Sequence, residues 1–299
     1  MADFYESWMS YIRDDVKITK LVIPGAHNSG SYGMNKMAEC QRDGLLTQFK
    51  YGCRQFCLRL DTRKNGEIVL AHGMSKGDSF ENVLKDIKTV IDEYPSEILL
   101  LDIREYYDQK IGPFTLRYKA DKSAVNDLLE KYISPEKYAF CDFDKIGDVT
   151  LGDIRKSGKR YILINENEDY NYSKNCECIL PWEKQVNGAK AEHFAAKTLR
   201  FFDDYKTDGL YWFQTQQTPN LGTEIGLTPP YKLDEDLRKY FVNIINGIEE
   251  NPFYLESANI IAGDFMTEDY MKASAILRLN IPKGNVKSEV IEEYEKSLS

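Results

Sequence analysis

The chain has 299 residues, 42% of them hydrophobic and 12% aromatic, with 39 basic against 48 acidic side chains for a formal net charge of −9. That composition sustains a globular core and excludes a disordered chain, and its acidic balance argues against nucleic acid as a partner. No run reaches the ~18 apolar residues of a membrane span.

In chain order, the opening segment MADFYESWMSYIRDD lacks the apolar core of a signal peptide, which leaves an intracellular chain or a secreted one whose leader has been removed. A first strand is expected at Lys20–Ile23, with Pro24-Gly25 turning the chain at its end. Further strands are expected at Gln55–Asp61 and Ile68–His72, followed by a helix over Phe80–Glu93 capped by Asp78 or Ser79. A strand at Ile98–Ile103, a helix at Ala124–Tyr132 and strands at Tyr161–Asn165 and Cys178–Trp182 come next. The helix Ala189–Phe202, the strand Leu210–Thr215, the helix Leu233–Ile248 and the strand Asn259–Phe265 follow. A last helix, Thr267–Leu279, is expected to start at Thr267, Glu268 and Asp269. Strands alternating with helices imply an α/β chain with a mainly parallel sheet, and so many units favour a (β/α) barrel. No repeat and no linker divide it, so residues 1–299 read as one domain. The six cysteines show no paired zinc-ligand spacing and are expected to be reduced and mostly buried.

One connection departs from the alternation. Arg59 to His72 leaves no room for a crossover helix and contains Asn65-Gly66, a strong signal for a two-residue hairpin. With Lys64 opposite Glu67, outward counting sets Arg59 against His72, on one face with Cβ atoms about 5 Å apart. A cation beside an imidazole suits an anionic substrate.

In an α/β barrel, catalytic side chains come from the C-terminal strand ends. Here those ends carry His27-Asn28, Arg59, Asp61, His72, Asp102, Arg104, Asn165, Trp182-Glu183, Gln214 and Asp264. Two histidines, an arginine and a buried aspartate can cleave a phosphodiester without a metal. One imidazole takes the proton of an attacking hydroxyl and the other, protonated, donates to the leaving oxygen. Arginine binds the phosphoryl oxygens, and the aspartate orients the base. Strand-end carboxylates that could cage a hard cation are scarce, so no cofactor or metal is expected.

These residues lie in runs with a wider resemblance. IPGAHNSGSYG, GCRQFCLRLDTRKNGEIVLAHG, PSEILLLDIREYY and NIIAGDF, spread over about residues 7–280, resemble the catalytic X domain of phosphatidylinositol-specific phospholipases C. SWMS, GAHNSGSYG, Cys40-Gln41 and QTQQTP at Gln214–Pro219 resemble the trypanosomal glycosylphosphatidylinositol type; metal-independent bacterial enzymes are similar too. The resemblance implies a distorted, incompletely closed TIM barrel with the antiparallel hairpin near its active site. It implies attack of an inositol 2-hydroxyl on the adjacent phosphate, releasing diacylglycerol and inositol 1,2-cyclic phosphate. By position, His27 is then the general base, His72 the general acid, Arg59 the phosphate clamp and Asp264 the residue orienting His27. Arg104 stands where bacterial members have an inositol-contacting lysine. Asn165, Trp182, Glu183 and Gln214 are substrate-binding candidates by strand-end position alone.

Two departures qualify the match. Bacterial members usually carry aspartate where Asn28 stands, so the charge that assists the acid histidine is missing. Calcium-dependent eukaryotic members bind their metal at the position of Asn28 and at three positions held here by Cys57, Arg59 and Arg104, none of them an oxygen ligand. The expected partner is an inositol phospholipid at a membrane surface, met by a monomer without a transmembrane segment. Two other readings stay open: a catalytically weak inositol-lipid-binding module, and a metal-dependent phosphodiesterase of the glycerophosphodiester type.

Overall fold

The structure is a computed structural model that describes residues 2–104, 108–111, 114–166, 169–179, 183–204 and 209–298. Its strands are β1 (Ile23–Ala26), β2 (Gln55–Thr62), β3 (Ile68–His72), β4 (Ser75–Ser79), β5 (Leu99–Arg104), β6 (Gln109–Ile111), β7 (Phe114–Arg117), β8 (Tyr161–Asn165), β9 (Glu177–Ile179), β10 (Leu210–Gln214) and β11 (Ile260–Gly263). Seven of them pair in parallel in the order β8-β5-β2-β1-β11-β10-β9. Among the described residues no ladder joins β9 to β8, so the curled sheet stays open between them.

The parallel strands are apolar on both faces because both faces are buried. Phe56, Leu58, Leu99, Leu101, Tyr211 and Phe213 point outward into one core, shared with Val83, Leu84 and Ile87 of the helix Phe80–Glu93 and with Phe241 and Ile244 of the helix Pro230–Glu250. Alternate residues, among them Cys57, Leu100, Ile162, Trp212 and Ala262, form a second core with Trp8, Met9 and Ile12 of the N-terminal segment. Ser79 caps the helix Phe80–Glu93 through the Asn82 amide. At the opposite end from the site, buried Arg54 donates to Glu97 from Nε at 2.7 Å and to the carbonyls of Phe49 and Cys53. Removing one partner of such a buried pair costs about 3–5 kcal/mol.

On the side away from β1, β2 changes partner along its length. Gln55 to Arg59 pair with β5, while Leu60 to Thr62 pair with the antiparallel β3, which continues into β4. This is the expected hairpin, but its register is shifted by one. Leu60 lies opposite Leu70 and Thr62 opposite Ile68, so Arg59 falls against Ala71 rather than His72. The cause is the turn. The Gly66 amide bonds to the Arg63 carbonyl and the Arg63 amide to the Glu67 carbonyl, with Gly66 at φ +87°. That is a three-residue loop with a left-handed third position, not a two-residue one.

The first and last elements also differ from expectation. Lys17 to Leu21 form a turn, and the strand begins at Ile23, so Pro24 and Gly25 lie within β1 rather than turning it. A Cβ at Gly25 would lie 2.5 Å from Gln55 Oε1 and 3.0 Å from Ala262 Cβ, so any larger residue there displaces the buried Gln55 side chain. The helix expected from Thr267 starts at Met271, because the Thr267 hydroxyl is bonded to Asp43 instead of capping a helix.

Candidate active site

At the C-terminal end of the barrel, β1 and β11 release His27 and Asp264 side by side. The strands are in register from Ile23–Ile260 to Ala26–Gly263, and the His27 amide extends the ladder to the Gly263 carbonyl. Each of the two residues is followed by a backbone reversal into the left-handed region, at Asn28 (φ +44°) and Phe265 (φ +48°). Asparagine tolerates that conformation; phenylalanine rarely does, and such strain persists where the surroundings dictate it. Gln41 joins the two strand ends, donating to the carbonyls of His27 and Gly263 and accepting from the Met266 amide.

His27 Nδ1 meets Asp264 Oδ1 at 2.7 Å, and both groups are buried. A carboxylate at Nδ1 fixes the tautomer with Nε2 unprotonated. Burial holds His27 well below the ordinary imidazole value, with the Arg59 charge acting in the same direction. Burial also pushes Asp264 up to about 7, against the nearby Lys272, His72 and Arg59 charges. Lys272, itself 2% exposed, donates to the Asp264 carbonyl at 2.5 Å and to Asp234.

His72 ends β3 and donates from Nδ1 to the Ala38 carbonyl at 2.7 Å, which leaves its Nε2 unprotonated when neutral. Its ring lies edge-on to His27, centroids 6.3 Å apart. Burial lowers its pKa to about 4, opposed by the Ala38 carbonyl and aided by Arg59 and His27. The two histidines, Arg59, Asp264, Cys40 and Gln214 line a cavity of ≈ 300 Å³ together with Gln216 to Pro219 and Pro230. Arg59 therefore does share a site with His72, although not as its cross-strand partner. The cavity can hold an anion between a neutral base, a clamp and a second imidazole.

Asn28 is buried beside it. Its Nδ2 lies 3.7 Å from Cys40 Sγ, which is 3.7 Å from His72 Nδ1, and its Oδ1 is buried without a hydrogen-bond partner among the described residues. Arg104 ends β5 and donates from Nε to both carboxylate oxygens of Asp102, 2.8 and 2.6 Å away, with its guanidinium 5.3 Å from the Trp212 ring. Asn165 is buried at the end of β8, opposite Ile103. Neither Arg104 nor Asn165 is among the lining residues of the cavity. Glu183 pairs with Arg200 on the surface, ahead of the short helix Lys184–Asn187, and the structure does not bring it to the histidines. Trp182 lies outside the described residues.

Cys40, Gln216, Gln217 and the Lys272–Asp234 pair were not singled out as site candidates from the sequence. For the last two a signal existed. Lys272 shares the stripe of buried Ala273, Ile276 and Leu277, and Asp234 that of Leu233, Leu237 and Phe241. A charge on the apolar face of a helix needs a partner inside.

Residues 16–111 match the model of the phosphatidylinositol-specific phospholipase C X domain. Two 1-phosphatidylinositol phosphodiesterases of Staphylococcus aureus, from strains Newman and NCTC 8325 / PS 47, are each 32% identical over 109 residues. That alignment covers 34% of this chain and 35% and 33% of theirs, so it spans about a third of the relatives' length. The fold extends further. The phosphatidylinositol-specific phospholipase C of Listeria monocytogenes superposes with a TM-score of 0.66 at 18% identity, over 92% of this chain and 98% of its own. A variant of the S. aureus enzyme gives 0.67 at 17% identity, over 93% and 98%. Residues 16–111 thus resemble the X domain of phosphatidylinositol-specific phospholipases C, within a chain that has the distorted barrel fold of the bacterial enzymes along nearly its whole length.

Proposed function

We propose that this chain, acting as a single catalytic unit, cleaves phosphatidylinositol or a glycosylated form of it to diacylglycerol and inositol 1,2-cyclic phosphate. The observation that carries this reading is the cavity shared by Arg59 and two imidazoles whose Nδ1 atoms are both engaged, His27 by Asp264 and His72 by Ala38. Each ring then works through Nε2. His27 Nε2 takes the proton of the inositol 2-hydroxyl as its oxygen attacks phosphorus, and Asp264 stabilises the imidazolium that forms. Arg59 binds the phosphoryl oxygens with paired hydrogen bonds as charge builds on them. Protonated His72 gives its Nε2 proton to the departing glycerol oxygen, so that diacylglycerol leaves as an alcohol. Such positioned acid–base help contributes about 10²–10⁴-fold.

His72, lowered to about 4, is mostly neutral near pH 7 in the free protein. A bound phosphate anion favours its charged form, so substrate itself recruits the acid. Arg59 also bears on metals. A guanidinium where β2 leaves its ladder with β5 supplies the positive charge that a cation would bring to the phosphate, and its neighbours Cys57 and Arg104 offer a hard cation no oxygen.

A membrane surface suits the mouth of this cavity. Ala38, which holds His72, follows Met37, and the His72–Gly73 turn leads to Met74. Asn35 joins the two segments through Ser75 at 2.5 Å. The loop between the lining residues Pro219 and Pro230 carries Leu221 and Leu227. Met74 is 73% exposed, Leu221 74% and Leu227 60%. Large apolar side chains displayed around one opening are a docking rim for lipid. No helix among the described residues is long and apolar enough to cross a membrane. The test is release of inositol 1,2-cyclic phosphate from phosphatidylinositol vesicles, expected from the chain as it stands and lost in His27→Ala. Binding of the vesicles without any cyclic product would overturn the reading in favour of a lipid-binding module.

A further inference from the structure

The mechanism makes no use of the Cys40 thiol, yet that thiol belongs to a compact donor set. Cys40, His27 and Asp264 are all buried, and each offers a ligand atom within 4.8 Å of the other two. Thiolate, imidazole and carboxylate are the ligands zinc takes, tetrahedrally, with bonds of about 2.0–2.3 Å that set the donor atoms about 3.3–3.7 Å apart. Shifts of about an ångström therefore turn the cluster into a three-ligand site. An independent feature points to the same place. The Asn28 amide lies against the thiol, with Nδ2 3.7 Å from Sγ, and its buried Oδ1 has no hydrogen-bond partner among the described residues. Rotating that amide by half a turn presents an oxygen where it now presents a nitrogen.

We propose that the cavity binds a thiophilic divalent cation, zinc being the type, through Cys40 Sγ, a ring nitrogen of His27 and an Asp264 carboxylate oxygen, with Asn28 Oδ1 or water as the fourth ligand. Zinc displaces the thiol proton as it binds the sulfur. Thiolate and carboxylate then balance the dication, which offsets repulsion from Arg59. Calcium and magnesium, which need six or more oxygens, are rejected by the same donors. Occupancy removes His27 as a base and Asp264 as its support, so the ion is an inhibitor that competes with substrate. This consequence rests on the proposed function; the binding does not.

The test uses the full chain freed of metal. Zn²⁺ alone is titrated calorimetrically, and Co²⁺ is used as the spectroscopic probe. One ion per chain is expected, together with a cobalt–thiolate charge-transfer band and tetrahedral ligand-field absorption. In Cys40→Ser the band disappears and zinc affinity falls at least about 100-fold, the upper loss for even an outer-shell partner. Asp264→Asn, which keeps the thiol, weakens zinc while retaining the band and guards against misfolding of the first variant. Turnover, normalised to each protein's metal-free rate, falls with zinc in the unaltered chain and resists it in Cys40→Ser. Equal zinc binding by the unaltered chain and Cys40→Ser, or cobalt without the thiolate band, overturns the site. A thiolate band in a chain whose metal-free form turns over no phosphatidylinositol overturns the proposed function and leaves the metal site standing.

Discussion

Asn28→Asp places a carboxylate where the bacterial enzymes that the sequence resembles are expected to carry one, and its effect can be worked from the geometry. The Asn28 amide and His72 Nδ1 each lie 3.7 Å from Cys40 Sγ, so they are no further apart than twice that distance. A unit charge about 7 Å from the imidazolium, at an effective dielectric of about 20, is worth about 2.4 kcal/mol. That corresponds to about 1.7 pH units in favour of protonated His72. Starting from about 4, the acid's limb in the kcat/KM profile moves to between about 5 and 6. In the unaltered chain both imidazoles are depressed, so kcat/KM is highest on the acid side of neutrality and falls as pH rises and His72 loses its proton. At pH 7 the variant gains about tenfold or more, because the protonated fraction of His72 rises in proportion. The left-handed backbone at residue 28 (φ +44°) accepts aspartate as it accepts asparagine. The assay is the pH dependence of kcat/KM on monomeric phosphatidylinositol for the unaltered chain, Asn28→Asp and Asn28→Ala. An alkaline limb at the same pH in all three refutes the assignment of His72 as the acid.

Asp264→Asn leaves His27 with the wrong tautomer and lowers kcat by about 10⁴. Because the folded carboxyl titrates near 7 against 3.8 unfolded, ionisation favours the unfolded chain as pH rises through that window. The variant is therefore expected to melt no lower than the unaltered chain at pH 8, read by calorimetry; a lower melting temperature contradicts the burial argument. Met74→Ser with Leu221→Ser removes two of the exposed apolar side chains beside the cavity. Turnover on vesicles falls while turnover on monomeric short-chain substrate is unchanged; an equal loss on both contradicts the docking rim. Gly30→Ala sets a Cβ 2.3–2.6 Å from Leu70 Cγ, Cδ1 and Cβ. Overpacking of this kind costs about 1–3 kcal/mol, measured by urea unfolding, and a midpoint unchanged from the unaltered chain contradicts it.

The elements with strong local signals were legible in the sequence. Ile68–His72, Tyr161–Asn165 and the helix Phe80–Glu93 occur within their expected bounds, because apolar periodicity and a serine cap define them locally. The strand at 23–26 was placed early. Val22 is held by the side chain of Asn280, 258 residues away, and nothing nearby in sequence records that bond. The hairpin was expected in the right place with the wrong register, since Asn-Gly serves two-residue and three-residue loops alike and only the backbone path separates them. Arg59 and His72 still share a cavity, through the end of β3 and the Ala38 carbonyl rather than through cross-strand pairing. Strand-end position alone was a weaker guide: Gln214 lines the cavity, whereas Glu183 is engaged by Arg200 at the surface. Cys40 sits in a loop without periodicity, and only the tertiary fold brings it to His27 and Asp264.

The most direct test of the account is phosphorus NMR of the product formed from phosphatidylinositol in excess EDTA. The account predicts the resonance of a five-membered cyclic phosphodiester, appearing with the unaltered chain and absent with His27→Ala. No cyclic product in EDTA, with turnover restored by added calcium, would contradict metal-free catalysis by His27, His72 and Arg59.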